Sequence, residues 1–249
     1  MDWSTIYAPG WHPFWEALAY LIAGLLYRHQ RRKQGDVLDI GNRLSVIVAA
    51  VAGAAIGSKL LHHLASPAEV AEVFHQGGWN RLLPHLSGGK TIVGALLGGW
   101  LAVEWMKKRK GIQTRTGDLF ALPLIIGMMI GRIGCLMAGP MDDTVGVPTT
   151  MPWGISYGEG VLRHPTALYE ILFLAGLLLV LSFRRFAREG DSFRIFLLSY
   201  LIFRFAVDFW KDYQVVMGLR ILQWACLLGI SILCWDLFQA KRTSTHDQA

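Results

Sequence analysis

Two arginines and a histidine stand where the apolar sequence around them demands a reason. Arg132 lies in GMMIGRIGCLMAGP and Arg204 in FLLSYLIFRFAVDFW, each with apolar residues on both sides. A guanidinium in hydrocarbon is expensive and marks a partner or a function. Tyr200, Arg204 and Asp208 recur at i, i+4 and i+8 and so share one helix face. Two readings are open for these arginines. Arg204 and Asp208 can form a satisfied ion pair and nothing more, or both arginines can face a common cavity. The second arrangement suits a phosphate group, bound through forked, bidentate hydrogen bonds. His164 precedes the apolar run PTALYEILFLAGLLLVL. Pro165 suits a first helical position with His164 near the N-cap, and an imidazole there equally suits proton acceptance near neutral pH. Cys135 reads more simply as a small buried residue than as a nucleophile. Glu16, Lys59, Glu104, Asp118 and Glu170 add charges in or near other apolar runs; Glu104 and Asp118 are expected to be solvated at an interface.

The elements that must position these groups are membrane helices. Hydrophobic residues make up 53% of the 249, charged residues 17%, and the mean hydropathy is +0.37. Apolar runs recur along the whole chain, so the expected fold is an all-α integral membrane protein in a single transmembrane domain, residues 1–249. About seven spans are expected: Phe14 to Tyr27 (extended upstream through Trp11), Leu44 to Leu64, Thr91 to Met106, Leu119 to Ala138, Ala167 to Phe183, Ile195 to Trp210 and Ile221 to Ala240. Met1-Asp2-Trp3 lacks the basic region of a cleaved signal, so the first span is expected to stay. Three cysteines, Cys135, Cys226 and Cys234, are too few and too scattered for a disulfide framework or a zinc site.

Basic residues set the expected orientation. Arg28, Arg31, Arg32, Lys33 and Arg43 flank the first connection, and Lys107, Lys108, Arg109, Lys110 and Arg115 the third. Arg184, Arg185, Arg188 and Arg194 flank the fifth, while Lys241 and Arg242 follow the last span. Sixteen of the 24 Lys and Arg thus crowd alternate connections. The positive-inside bias makes those connections cytoplasmic, with the N-terminus outside and the C-terminus inside. The basic balance is then a matter of topology, and no nucleic-acid partner is expected. The outward connections are Ser66 to Lys90, with a short amphipathic helix around Ala68 to His75, Gly139 to Arg163, and Lys211 to Arg220. Pro148 and Pro152 argue against a regular helix in the second, where Trp153 and Tyr157 suit the headgroup level. Gly53-x-x-x-Gly57, Gly94-x-x-x-Gly98 and Gly127-x-x-x-Gly131 put small residues on one face of three helices, which points to close helix packing rather than to a ligand. No repeated half-pattern of a secondary transporter is present.

These motifs together resemble those of the prolipoprotein diacylglyceryl transferases. The resemblance rests on Gly131-Arg132-Ile133-Gly134, on His164-Pro165-Thr166-Ala167-Leu168-Tyr169-Glu170, on Tyr200-x-x-x-Arg204-Phe205-x-x-Asp208, and on Gly89-Lys90-Thr91-Ile92-Val93-Gly94-Ala95-Leu96-Leu97-Gly98. Asp118 and Pro123 also sit where that family places an acidic residue and a proline, and the likeness runs from Trp15 to about Leu228. It implies transfer of diacylglyceryl from phosphatidylglycerol to the lipobox cysteine thiol of a prolipoprotein, in the bacterial inner (plasma) membrane, with no cofactor. On that basis Arg132 and Arg204 are expected catalytic residues, and His164 and Glu16 join them as the candidate bases for the acceptor thiol. Tyr200, Asp208, Cys135, Glu170 and Lys59 are the expected substrate-binding residues, and no metal is expected.

The chain also departs from the family pattern. Val93 stands where a third-span histidine is usual, Cys135 where an asparagine is common, and Glu16 where a first-span tyrosine is found. Pro140 takes the place of a loop glutamate, with Asp142 and Asp143 close behind as substitutes, and Asp208 replaces a glutamate. These departures leave open a transferase with another exported acceptor, and a non-catalytic lipid- or lipoprotein-binding membrane protein is the alternative expectation.

Overall fold

The computed structural model describes residues 7–35, 38–142, 145–183, 190–212 and 215–246. Met1-Asp2-Trp3, Asp143, Arg184, Arg185 and Arg188, all invoked above, lie outside the described residues. Eight α-helices carry the described chain: α1 His12–Gln34, α2 Ile40–Ala65, α3 Pro67–Ser87, α4 Ile92–Lys110, α5 Asp118–Ala138, α6 Thr166–Phe183, α7 Asp191–Val207 and α8 Ile221–His246. Each of the seven apolar segments expected from sequence lies mainly on one of them, though Thr91 is only the N-cap of α4 and Asp208–Trp210 form a 3₁₀ turn beyond α7; α3 is the extra helix. Four helices, α2, α5, α6 and α8, are long and apolar enough to cross a membrane, and a fifth span follows if the bent pair α3 and α4 is one. Their outer faces carry large exposed apolar residues such as Val48, Ile56, Leu172, Leu179 and Leu228. Hydrocarbon, not water, is the solvent that tolerates such faces. The protein is a multi-pass, all-α membrane protein.

The chain forms two compact units. One comprises Met1–Val37, Arg115–Phe196 and Phe209–Asp212; the other Leu38–Thr114, Leu197–Asp208 and Tyr213–Ala249. In the first, α5 packs against α1 and α6. A Cβ on Gly127 would stand 3.1 Å from the Ala23 Cβ, and one on Gly134 2.9 Å from the Trp15 Cβ. Small residues along α5 thus let α1 approach its backbone. Asp118, expected in water, instead accepts the backbone N–H groups of Gly190 (2.6 Å) and Phe193 (3.1 Å). Its carboxylate therefore satisfies orphan donors at the start of α7.

In the second unit α2 and α4 make the most extensive helix pair. Added Cβ atoms on Gly57 and Gly94 would each run into the other residue's carbonyl oxygen, and the same holds for Gly53 and Gly98. The two small-residue motifs thus pack directly on each other, realising the close packing that the sequence indicates with a pairing that it does not. Thr91 caps α4 by accepting the Gly94 N–H at 3.3 Å, and Gly111, at φ 67°, ends it in the left-handed conformation. Helix α3 is longer than the expected Ala68 to His75 segment because it resumes beyond a break at Gly77 and Gly78, the latter at φ 56°. Between Lys211 and Arg220 the expected outer loop contains a two-residue hairpin, β1 Val215–Val216 with β2 Leu219–Arg220. Lys211 itself is only 1% exposed.

Candidate active site

Within the first unit, α5 carries Arg132 into a buried position. Glu170, one turn into α6, meets it with Oε2 2.9 Å from the guanidinium Nε; their side chains are 5% and 1% exposed. The pairing explains how an arginine survives among Met129, Ile130, Ile133 and Leu136, since burial of either charge alone is prohibitive. It also joins the Gly-Arg-Ile-Gly run to the final residue of the His-Pro-Thr-Ala-Leu-Tyr-Glu run. Glu170, expected among the substrate contacts, thus holds Arg132. Another nitrogen of the same guanidinium, Nη1, donates to the Cys135 Sγ at 3.4 Å, one turn along α5.

Cys135 has a further neighbour that the sequence did not suggest. The His12 Nε2, at the first position of α1, lies 3.7 Å from its sulfur and 3.7 Å from the Asp142 Oδ2. Ligand atoms of His12, Cys135 and Asp142 all fall within 4.8 Å of one another. Three local features bring them together. The Ala8 N–H donates to the Met137 carbonyl at 2.9 Å, pinning the segment before α1 to the end of α5. Gly139 then ends α5 at φ 52°, where a Cβ would strike the Tyr157 ring. A 3₁₀ turn over Gly139–Met141 follows, and the Asp142 N–H returns to the Gly139 carbonyl at 3.0 Å. Beneath it Leu136, Ile155, Tyr157 and Ala167 form a small apolar cluster, and burial beside Asp142 pushes the Tyr157 hydroxyl up to about 12.

From Val145 to Pro165 the described loop is ordered by backbone pairing rather than by helix. Pro148 and Ile155 both bridge to Arg163, and Gly146 bridges to Lys211. His164 is fixed by its own backbone, donating to the Val147 carbonyl (3.1 Å) while its carbonyl accepts from Gly146 (3.2 Å) and Thr166 (2.9 Å). Helix α6 begins at Thr166 and the Pro165 carbonyl accepts from the Tyr169 N–H. Pro165 is therefore the N-cap rather than the first helical residue, and His164 stands just outside the helix. Its imidazole has another partner, with Nδ1 3.1 Å from the Tyr169 Oη. Trp153 Nε1 donates to that same hydroxyl at 2.7 Å, and the Trp210 ring centre stands 5.8 Å from the His164 ring. Burial lowers the His164 pKa from its ordinary value, which favours the neutral imidazole at neutral pH. If Nδ1–H donates to Tyr169, Nε2 keeps its lone pair, the tautomer a base requires.

The second unit holds the other motif. Arg204 Nη2 and Asp208 Oδ1 pair at 2.9 Å across one helical turn, with side chains 4% and 0% exposed. Tyr200 is fully buried on the same face. Gln223, which no motif highlighted, is also fully buried; it donates to the Phe205 carbonyl (3.1 Å) and accepts from the Arg220 N–H (2.9 Å). Lys59 donates to the carbonyls of Ser87 and Gly88, closing the C-terminal end of α3. Glu16 accepts from the Tyr20 hydroxyl one turn along α1, at 3.2 Å. Val93, where the resemblance led to the expectation of a histidine, is fully buried.

Comparison with known proteins gives this arrangement a context. The sequence profile described as prolipoprotein diacylglyceryl transferase matches residues 7–238. The phosphatidylglycerol–prolipoprotein diacylglyceryl transferase of Nitratidesulfovibrio vulgaris is 33% identical over 201 residues, covering 77% of this chain and 70% of the relative. That of Geobacter sulfurreducens is 28% identical over 226 residues, 84% and 80% of the two chains. The Polaromonas naphthalenivorans protein of the same name is 26% identical over 254 residues, 91% and 88%. With nearly the whole sequence matched, and the arginine and His-Pro motifs joined by a buried ion pair, the chain belongs to the prolipoprotein diacylglyceryl transferase family.

Proposed function

We propose that this protein is a membrane transferase that moves diacylglyceryl from phosphatidylglycerol to the cysteine thiol of a prolipoprotein lipobox. The observation that carries the reading is the buried Arg132–Glu170 pair, which ties two family motifs into one rigid element. In the reaction the acceptor sulfur attacks the terminal glycerol carbon of the diacylglyceryl group. A C–S bond forms, the C–O bond to phosphate breaks, and glycerol phosphate leaves with the electron pair. Negative charge on the departing phosphate calls for fixed cationic donors in a dry site. Arg132 has that role: the Glu170 carboxylate, with Oε2 2.9 Å from Nε, balances its charge and keeps the guanidinium buried. Arg204 is assigned the same chemistry, with Asp208 and Tyr200 orienting it.

The acceptor thiol, with an ordinary pKa near ~8.5, needs a base. His164 is assigned that part. Its lowered pKa, its Tyr169 contact and its place just before a membrane helix all suit it. Glu16 is the second candidate.

Seven spans are proposed, α1, α2, α4, α5, α6, α7 and α8, in a bacterial inner membrane with the N-terminus outside and the C-terminus cytoplasmic. The basic last turn of α4, Lys107 to Lys110, supports the orientation. A reporter fused after Ala249 should read as cytoplasmic, and a periplasmic signal overturns the topology.

Val93 favours a second reading, a lipid- or lipoprotein-binding protein without turnover, because a buried apolar side chain offers no proton acceptor there. Purified protein incubated with isotopically labelled phosphatidylglycerol and a lipobox peptide separates the two. The expected result is a peptide heavier by one labelled diacylglyceryl, with glycerol phosphate released in equal amount. Peptide and lipid binding without that product refutes transfer.

A further inference from the structure

We propose that His12, Cys135 and Asp142 form a three-ligand zinc site beside Arg132, with its fourth position open to the acceptor sulfur. The part about the acceptor rests on the transferase reading; the metal site itself does not. Three observations carry it.

The geometry comes first. Zinc bonds of about 2.3 Å to sulfur and 2.0–2.2 Å to nitrogen and oxygen, set at tetrahedral angles, place ligand atoms roughly 3.4–3.6 Å apart. The His12 Nε2 stands 3.7 Å from the Cys135 Sγ and 3.7 Å from the Asp142 Oδ2, and the whole set fits within 4.8 Å. One nitrogen serves both short contacts. A catalytic relay of the Cys-His-Asp kind instead uses the two ring nitrogens for the two neighbours, so a shared centre describes this cluster better than a relay.

The donor set comes second. One thiolate, one imidazole and one carboxylate suit zinc, whereas magnesium and calcium prefer all-oxygen sites. Charge then balances locally: the two anionic ligands neutralise the dication, and Glu170 neutralises Arg132. Without this balance a dication next to a buried guanidinium would be untenable.

The supporting contacts come third. Metal-bound thiolates are normally held by outer hydrogen bonds, and Arg132 Nη1 donates to the Cys135 Sγ at 3.4 Å. Each ligand also sits on a fixed piece of backbone. His12 opens α1, whose preceding segment is pinned by the Ala8–Met137 hydrogen bond, and Asp142 follows the 3₁₀ turn set by Gly139. All three are half-buried, so a small fourth ligand has access. A zinc-bound acceptor sulfur binds as thiolate, losing its proton to water or a nearby base with no change of oxidation state. That would supply thiol activation beside Arg132.

The test uses the full-length protein in detergent, stripped with a chelator, and the metal alone. Zinc is titrated against a chromophoric competitor, and cobalt(II) is added separately to look for thiolate-to-metal charge-transfer absorption. One equivalent of metal per chain with that absorption is expected. Cys135→Ser should abolish the absorption, and His12→Gln and Asp142→Asn should each weaken zinc binding beyond the roughly 10–100-fold that loss of an outer contact costs. Cys226→Ser should leave both unchanged. Helical circular dichroism checks that each variant is folded, and His12→Gln with intact Cys135 keeps the test open if Cys135→Ser is not. Absence of stoichiometric zinc in wild type, or cobalt absorption that survives Cys135→Ser, overturns the site, even where labelled transfer proceeds. Stoichiometric binding lost in these variants upholds it, even if no transfer is found.

Discussion

Glu170→Gln isolates the contribution of the ion pair around which the site is built. The change keeps the size of the side chain and a hydrogen-bond acceptor, but removes the charge opposite Arg132. Both partners are nearly inaccessible, at 5% and 1%, and the charged atoms are 2.9 Å apart, so solvent cannot compensate the guanidinium. Breaking a buried pair by removing one partner costs about 3–5 kcal/mol. For a chain of this length each kcal/mol lowers Tm by roughly 2–4 °C, so a fall of about 6–20 °C is expected. The control is Glu159→Gln. Its bridge to Arg163 is 3.3 Å long with side chains 43% and 26% exposed, and exposed pairs are worth under about 1 kcal/mol. The paired substitution Arg132→Met with Glu170→Leu should recover most of the lost stability but no activity, because the charge and its desolvation disappear together. Thermal unfolding in one detergent, followed by near-ultraviolet circular dichroism, gives all four values. Equal shifts for Glu170→Gln and Glu159→Gln would refute the claim that Arg132 depends on Glu170.

Other expectations follow from the same geometry. Gly57→Ala should destabilise by about 1–3 kcal/mol, since its Cβ would enter the Gly94 carbonyl. Gly24→Ala on α1, where nothing lies within 4 Å, should be neutral or stabilising by up to about 1 kcal/mol; the same unfolding assay compares them. Arg204→Lys keeps the charge but loses the planar fork that faces Asp208. Transfer should drop by about 10²–10³-fold, and wild-type turnover would remove Arg204 from phosphate handling. For His164 the sign is set by burial. The folded pKa is below the ordinary value of about 6.5, so the neutral base predominates at pH 7 and its activity is lost as pH falls through the lowered pKa. The unfolded chain takes up that proton first, so the stability contribution is full above about pH 6.5 and also declines toward acid. His164→Gln should cut turnover by about 10²-fold or more and remove that acidic limb from the pH–rate profile. An unchanged profile returns the search to Glu16.

Much of this protein is determined locally. Apolar runs of about 20 residues become helices because hydrocarbon forces each backbone to satisfy itself. The Gly-x-x-x-Gly spacings of α2 and α4 therefore foretell close contact. Arg204 and Asp208, one turn apart on α7 and its 3₁₀ extension, are bound to meet, since helix periodicity alone puts them on one face. Contacts between helices are another matter. Hydrophobic pattern says which residues lie in the bilayer but leaves each helix's rotation, depth and neighbour to packing. Tertiary structure therefore decided that Glu170 serves Arg132, that Asp118 caps α7, and that Lys59 closes α3. It also brought His12 to Cys135 across 123 residues of sequence. Neither residue's sequence neighbourhood encodes that meeting. It arises where α1 crosses α5 near Gly134 and the turn at Gly139 folds Asp142 back on them.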